Sequence, residues 1–322
     1  MKRKYWLETY GCQMNFAESN ALELRLKGAG LIPAPSAEEA AVAILNTCTV
    51  RKSADNRVWG RLGYFGALKK KRPLTLIVTG CMAERLKDDL KAEAPYVDFV
   101  IGTNDKRRIV DILTSPEGSF AGEETYTFSE SHYREGEFSS YIPIMNGCNN
   151  FCSFCIVPHV RGREISRPVA DIIKELHHLD SNEVKEVTLL GQNVNSYRSE
   201  EDGKVVTFPD LLRRLCAEET KHIRWIRFDS PHPKDFTKEL IEVIKREEKV
   251  AKHLHIPLQS GSSRILKAMN RKYTKEQFIS LITTIRSAIP SVTFATDVMV
   301  GFPSESEDEY RETLEVLRLL QC

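Results

Sequence analysis

Among its 322 residues the chain has no uninterrupted apolar run approaching the roughly 20 residues that a bilayer-spanning helix needs. Net charge is equally scarce, with 46 Lys and Arg against 45 Asp and Glu. Global charge therefore argues neither for nor against nucleic acid, and any RNA contact has to come from local patches. Cysteine is sparse at eight residues, which excludes a small disulfide scaffold. No cleavable leader is expected at this start: MKRKYWLETYG begins with charge but runs into a short alternating strand rather than an apolar core. With 41% hydrophobic and 28% charged residues, the expectation is a cytoplasmic globular protein with no membrane partner, its thiols reduced and free to take iron. Its length exceeds what one ordinary core fills, so two domains are expected.

The few cysteines present are not scattered at random. Within MNGCNNFCSFCIVP, residues 145–158, Cys148, Cys152 and Cys155 are spaced C-x3-C-x2-C. Soft sulfur ligands this close together let one tight loop wrap an iron-sulfur cubane. Three thiolates hold three irons of a 4Fe-4S cluster and leave the fourth open to something other than cysteine. A zinc site and a disulfide framework are the alternatives. Zinc usually takes four ligands, commonly in C-x2-C pairs, and although His159 lies near, no further pair is present. Disulfides need a secreted context. The spacing resembles the signature of radical S-adenosylmethionine (SAM) enzymes, in which the open iron chelates the methionine part of SAM.

Along the first third of the chain, strands and helices alternate. Residues 4–9 form a β-type run that stops at Tyr10-Gly11-Cys12, and a helical pattern follows over 16–27, with Leu22 and Leu26 four apart. Strands at 41–45, 74–78 and 97–101, with a helix over 53–70 and another after Asp105, complete a parallel α/β pattern of Rossmann or flavodoxin-like type. Cys12, Cys48 and Cys81 each follow a strand end. In an open α/β sheet all those ends lie on one edge, where ligands bind. Taken singly, each is an ordinary core cysteine. Together they read as ligands of a second cluster with one iron free.

The pattern dissolves into SPEGSFAGEETYTFSESHYREGEF, giving a linker over 116–138 between an N-terminal domain, 1–115, and a second domain, 139–322. The second opens with a strand at 140–145. Strands at 184–190, 223–229, 253–258 and 292–300, with helices such as 169–179, 236–249 and 307–320, suggest a partial (β/α) barrel. A strand after the last helix is expected to be missing.

These motifs carry a resemblance over nearly the whole chain. Tyr10-Gly11-Cys12-Gln13-Met14-Asn15, Asn46-Thr47-Cys48, Thr79-Gly80-Cys81, Asn146-Gly147-Cys148 with Cys152 and Cys155, and Arg161-Gly162-Arg163-Glu164 resemble the radical SAM methylthiotransferases. Ser230-Pro231-His232-Pro233-Lys234-Asp235, Gln259-Ser260-Gly261-Ser262, Met269-Asn270-Arg271 and Val300-Gly301-Phe302-Pro303 are similar too. Gln13-Met14 and the Met269-Asn270-Arg271-Lys272-Tyr273 run are most like the tRNA-modifying branch. The branch acting on a ribosomal protein usually has Pro-Lys in place of Gln13-Met14, and the threonylcarbamoyl-adenosine branch usually has Lys-Val. Family members normally continue into a C-terminal TRAM domain, absent here, so a fragment is expected.

What the resemblance implies is conversion of N6-isopentenyladenosine next to the tRNA anticodon into its 2-methylthio derivative. It implies two 4Fe-4S clusters, SAM, a monomer, and an electron donor such as flavodoxin. Cys148, Cys152 and Cys155 would hold the SAM-cleaving cluster, and Cys12, Cys48 and Cys81 the sulfur-carrying one. The turn Gly191-Gln192-Asn193 would face the methionine amino group, with Gln259, Ser260, Val300 and Gly301 near the ribose and adenine. Arg161 and Arg163 follow the cluster loop and are the expected phosphate contacts for a base splayed out of its RNA loop. Methylthiolation of a ribosomal protein aspartate, or of threonylcarbamoyl-adenosine tRNA, is the alternative activity. A non-enzymatic electron carrier would normally close each cluster with four ligands.

Overall fold

The computed structural model describes residues 3–49, 52–115 and 126–321, the side chains of 52–54 excepted. Two compact units divide the chain: Met1–Arg134 with His159–Gly162, and Glu135–Pro158 with Arg163–Cys322. No helix among the described residues is long and apolar enough to cross a membrane.

In the first unit, β1 (Lys4–Thr9), β2 (Ile32–Pro33), β3 (Val42–Thr47), β4 (Thr75–Gly80) and β5 (Phe99–Ile101) form one parallel sheet in the order β2-β1-β3-β4-β5. Every residue of β3 is buried, as a central parallel strand covered on both faces requires. One face packs Leu45, Leu62, Phe65, Leu76 and Val78, the other Leu22, Leu26, Ile44 and Ile77. The helices are α1 (Gln13–Gly28), α2 (Lys52–Lys69), α3 (Cys81–Leu86), α4 (Asp88–Glu93) and α5 (Arg108–Thr114). This strand order is the flavodoxin-like one, whose topological switch point lies between β1 and β3. Sequence reading overlooked β2, whose Pro33 lacks a donor and is tolerated only because the strand is at an edge.

In the second unit, β6 (Ser139–Pro143), β9 (Glu186–Leu190) and β12 (Trp225–Phe228) are parallel neighbours, as are β13 (His253–His255) and β14 (Thr293–Ala295). A bridge from Ile226 to Val250 joins the two groups, so the five strands lie side by side in chain order, as the staves of a (β/α) barrel do. Helices α7 (Val169–Ser181), α8 (Phe208–Ala217), α9 (Lys238–Arg246), α10 (Ser263–Ala268), α11 (Lys275–Ala288) and α12 (Glu307–Leu320) fall between or after these strands, while α6 (Val157–Val160) is a single turn. Two antiparallel pairs were not expected: β7 (Met145–Asn146) with β8 (Ile165–Ser166), and the hairpin β10 (Arg198–Glu201) and β11 (Lys204–Thr207). Asp202 and Gly203 turn that hairpin, both at positive φ.

The register separates two faces. Ile142, Leu189 and Phe228 share an apolar row, and Phe208 of α8 packs edge-on against Phe228. Tyr141, Thr188 and Arg227 share the alternate row, beside Glu186, which accepts from Arg227 Nε at 2.7 Å. A (β/α) barrel normally fills its inward positions with Val, Ile and Leu. The polar row here is therefore available for a ligand.

Arg167, 1% exposed, fastens the segment after β8 to the end of β6. Its guanidinium pairs with buried Glu175 of α7, its N–H donates to Ile144 O at 2.8 Å and its carbonyl accepts from Tyr197 at 2.7 Å. Arg167→Met is expected to destabilise the second unit by about 3–5 kcal/mol by stripping a buried carboxylate of its guanidinium, measured by urea unfolding. Adding Glu175→Leu should recover most of that loss.

Candidate functional site

The first trio of cysteines is assembled by sheet register. Thr9 pairs with Asn46 and Asn46 with Thr79, so the chain leaves β1, β3 and β4 along a single edge just before Cys12, Cys48 and Cys81. Gly11 has φ of +113°, and a Cβ there would fall 2.4 Å from Cys48 Cβ and 2.7 Å from its Sγ. Gly80 has φ of +95°, and a Cβ there would fall 2.3 Å from the Thr47 carbonyl oxygen. Both glycines are thus needed for the cysteine-bearing turns to approach one another.

Asn15 holds those turns together. Its Nδ2 donates to Tyr10 O at 2.8 Å and Thr47 O at 3.0 Å, and its own carbonyl accepts from Asn46 Nδ2 at 2.9 Å. Thr47 Oγ1 donates to Thr79 O at 2.6 Å, tying β3 to β4. Arg161, in the segment that returns to this unit, donates from Nη2 to Asn15 Oδ1 at 2.9 Å and from Nη1 to Glu18 Oε1 at 2.8 Å. Burial alone would raise the Glu18 carboxyl, but Arg161 and Lys106 outweigh it and hold the group at about 2.

Arg161 therefore corrects the sequence expectation. Its side chain is 2% exposed and committed to Glu18 and Asn15, so it has no open face for an RNA phosphate. Arg163 is exposed, and its guanidinium stacks 4.4 Å over the Phe151 ring.

In the second unit, the loop bearing Cys148, Cys152 and Cys155 turns through Gly147 at φ +81° and Phe151 at φ +48°. The Cys155 N–H donates to Cys152 O at 2.9 Å. Burial pushes the Cys148 and Cys155 thiols up, and the nearby Cys152 sulfur adds to both shifts. The Met269-Asn270-Arg271 run clamps the loop. Met269 O accepts from Ser153 N at 3.0 Å, Asn270 Nδ2 donates to Phe151 O at 2.8 Å, and Arg271 Nη1 lies 3.3 Å from Cys152 Sγ. Arg271 Nε donates to Tyr273 Oη at 3.1 Å, fixing the guanidinium against the sulfur. Asn15, Glu18 and Asn270 were not singled out from sequence, although Asn15 and Asn270 lie inside the motifs quoted for the resemblance, and Arg271, which the sequence offers only as a basic group for RNA, lies instead against Cys152.

The donor sets fit thiolate clusters. Each trio combines cysteines with an adjacent guanidinium, which suits the negative charge of thiolate-held iron and sulfide. Among the described residues no three His, Cys, Asp or Glu side chains are grouped to hold a single metal ion. A cubane takes each thiolate at a different iron and asks for a wider set.

The expected SAM residues lie at or beyond strand C-termini. Gly191 makes room for Met145, whose Cγ a Cβ at 191 would meet at 2.4 Å. Gln192 Oε1 is buried with no hydrogen-bond partner in the protein, an acceptor for a ligand donor. Asn193 is 1% exposed and spent on framework, donating to Asp235 Oδ2 at 2.8 Å and accepting from His232 N at 3.2 Å. Gln259, at φ +70°, bridges to Val298 and accepts from Met299 N at 2.8 Å, which brings its turn beside the Val300-Gly301 stretch. Ser260 is fully buried and accepts from Ser262 N at 3.1 Å. Val300 is 61% exposed, and the Gly301 N–H donates to Glu305 at 2.6 Å. A cavity of about 310 Å³ opens on the polar row, walled by Arg227, Asp229, His253, His255 and Asp297. Burial pushes the Asp229 carboxyl up, while His255 Nε2 sits 3.1 Å from Asp297 Oδ2.

The Radical SAM superfamily profile matches residues 142–317, and that of Uncharacterized protein family UPF0004 matches residues 4–102. The chain is 46% identical over 333 residues to the tRNA-2-methylthio-N(6)-dimethylallyladenosine synthase of Treponema pallidum (strain Nichols), covering 98% of this chain and 73% of that protein. The chain belongs to the radical SAM methylthiotransferases. A second member of that name, from Bacteroides fragilis (strain YCH46), is 44% identical over 98% of this chain and 70% of its own length. The fold of this methylthiotransferase is similar to that of the radical SAM methyltransferase TsrM from Kitasatospora setae, solved with cobalamin and a 4Fe-4S cluster bound. The TM-score is 0.74 at 14% identity, over the whole of this chain and 74% of that one. Membership of the superfamily carries SAM and a 4Fe-4S cluster with it.

Proposed function

We propose that the protein converts N6-isopentenyladenosine next to the tRNA anticodon into its 2-methylthio derivative. The observation that carries this reading is the presence of two separate cysteine trios, one at the C-terminal ends of the parallel strands β1, β3 and β4 and one on the single loop after β7, each with a guanidinium beside it. It is supported by relatives named tRNA-2-methylthio-N(6)-dimethylallyladenosine synthase. The first unit, Met1–Arg134 with His159–Gly162, is the sulfur-handling domain and the second, Glu135–Pro158 with Arg163–Cys322, the radical domain, so the expected bounds of 1–115 and 139–322 shift and the described residues of the expected linker divide between the two units. A flavodoxin-like electron donor, a monomeric state and a cytoplasmic location complete the proposal.

Carbon 2 of adenine bears an unactivated C–H that protein acids and bases do not remove. When bound, a 4Fe-4S cluster with an open iron would supply the one-electron reduction that radical chemistry on SAM requires, and a second cluster would supply a place for sulfur. The chain's own residues bind and orient. Cys148, Cys152 and Cys155 hold the first cluster, with Arg271 steadying Cys152. Cys12, Cys48 and Cys81 hold the second. Gln192 Oε1 and the Gln259 side chain would offer polar groups to SAM, with Ser260 and the Val300-Gly301 stretch shaping the turn beside them, and Asn193 braces the loop that carries Gln192. The splayed base enters the cavity walled by Asp229, His255 and Asp297, whose acceptors and donors suit a base edge.

Arg163 holds a phosphate of the substrate. Arg163→Ala should weaken tRNA binding regardless of sequence and reduce the slope of log affinity against log salt by roughly 0.7–0.9, as loss of one phosphate contact does. Fluorescence binding isotherms across a salt series check it. The function itself is tested by mass spectrometry of tRNA nucleosides from cells with and without the gene. Loss of 2-methylthio-N6-isopentenyladenosine, with its unmodified precursor accumulating, is the expected result. An unchanged nucleoside profile would remove tRNA as the substrate.

A further inference from the structure

Arg161 follows Cys155 by six residues, yet the segment His159–Gly162 belongs to the first unit. There the Val160 carbonyl accepts from Thr103 Oγ1 at 2.7 Å, and the Arg161 side chain is buried to 2% exposure. A guanidinium taken out of water needs compensating charge and geometry that satisfies its donors. Glu18 supplies one carboxylate, received through Nη1 at 2.8 Å and Nη2 at 3.2 Å, but the same carboxylate also holds Lys106 and accepts from Tyr126 at 3.3 Å. Glu18 thus brings one negative charge to two positive ones. Cys81 and Cys12 lie close enough for their thiolate charge to favour the charged guanidinium. Through Asn15, Arg161 is also linked to the Tyr10 and Thr47 carbonyls, the first two residues and the second one residue ahead of a cysteine of the same trio.

The geometry points to Arg161 as a positioning residue of the N-terminal cluster: a fixed cation that sets the Cys12, Cys48 and Cys81 turns in place and balances the charge of what they hold. This rests on the reading that those three cysteines bind a cluster. A 4Fe-4S core on three thiolates bears net negative charge, so a buried cation beside it makes reduction easier and loss of iron slower. The segment after the radical-cluster loop thereby contributes to the other cysteine trio instead of to RNA.

The test uses the full chain with Cys148, Cys152 and Cys155 replaced by Ala, so that only the N-terminal trio loads iron. Arg161→Met removes the charge at similar volume, Arg161→Gln removes it while keeping hydrogen-bonding capacity, and Arg161→Lys keeps charge without the planar fork. Glu18 stays paired with Lys106 in all three, which protects the fold, and circular dichroism verifies it. Redox titration followed by electron paramagnetic resonance should show a more negative midpoint for the Met and Gln variants, and a chelator should strip their iron several-fold faster. Arg161→Lys should keep a near-parental midpoint while losing iron faster than the parent. A folded Met or Gln variant with parental midpoint and iron retention would overturn the inference alone. A folded parent that takes up no iron would overturn the cluster reading and the inference with it.

Discussion

Replacing Cys148, Cys152 or Cys155 by Ala is expected to abolish both 5′-deoxyadenosine formation and methylthiolated product. Replacing Cys12, Cys48 or Cys81 is expected to abolish product while SAM cleavage continues. The reason lies in the framework of each trio. The first is held by turns after β1, β3 and β4, fastened by Asn15, Asn46 and Thr47. The second sits on a loop fastened by Met269, Asn270 and Arg271. No residue is shared between the two fastenings, so removing one set of thiolates leaves the other intact. The measurement is chromatography of SAM products beside nucleoside mass spectrometry on the same anaerobic reaction. A folded, iron-loaded Cys12→Ala protein that cannot cleave SAM would show that the clusters act as one unit.

Gly11→Ala and Gly80→Ala are expected to cost nearly as much product as losing a cysteine, although neither glycine bears a ligand. At Gly11 the new Cβ meets Cys48 at 2.4 Å in a backbone at φ +113°, and at Gly80 it meets a carbonyl oxygen at 2.3 Å in a backbone at φ +95°. Backbone strain of this kind costs about 1–3 kcal/mol, and relief of the contact has to move the cysteine turn itself. Iron analysis should find the N-terminal cluster lost and the radical cluster retained. Gly60→Ala serves as the control, because a Cβ there meets nothing within 4 Å and the residue is an exposed position of α2. That change should stabilise the protein by about 0.5–1 kcal/mol through helix propensity.

Strands with continuous apolar character were legible in the sequence. β1, β3, β4, β9 and β12 fall where alternation or apolar runs put them, and β3, β4 and β9, buried along nearly their whole length, carry the run that a parallel strand covered on both faces leaves. The short elements were less visible. β2 has two residues and a proline, and α3 breaks from α4 at Lys87, whose φ of +43° no local pattern foretells. The β10–β11 hairpin has its signal in Asp202-Gly203, a two-residue turn at positive φ. At the site, the cysteine spacing and the strand-end positions carried the reading. Arg161 was read as a phosphate contact because its neighbourhood in sequence is the cluster loop. Its partner Glu18 lies 143 residues away, and burial set by so distant a contact leaves no local signature. Arg271 is a parallel case, reaching Cys152 across 119 residues.

The measurement that bears most directly on two clusters held by two cysteine trios is iron, sulfide and zinc analysis of anaerobically reconstituted protein, joined to Mössbauer spectroscopy. The account predicts about eight irons and about eight sulfides per chain, in two cubanes of the 4Fe-4S type. It also predicts that the count falls by about half when either trio is replaced by Ala. A chain that takes up zinc, or that holds a single cluster with all six cysteines present, would contradict it.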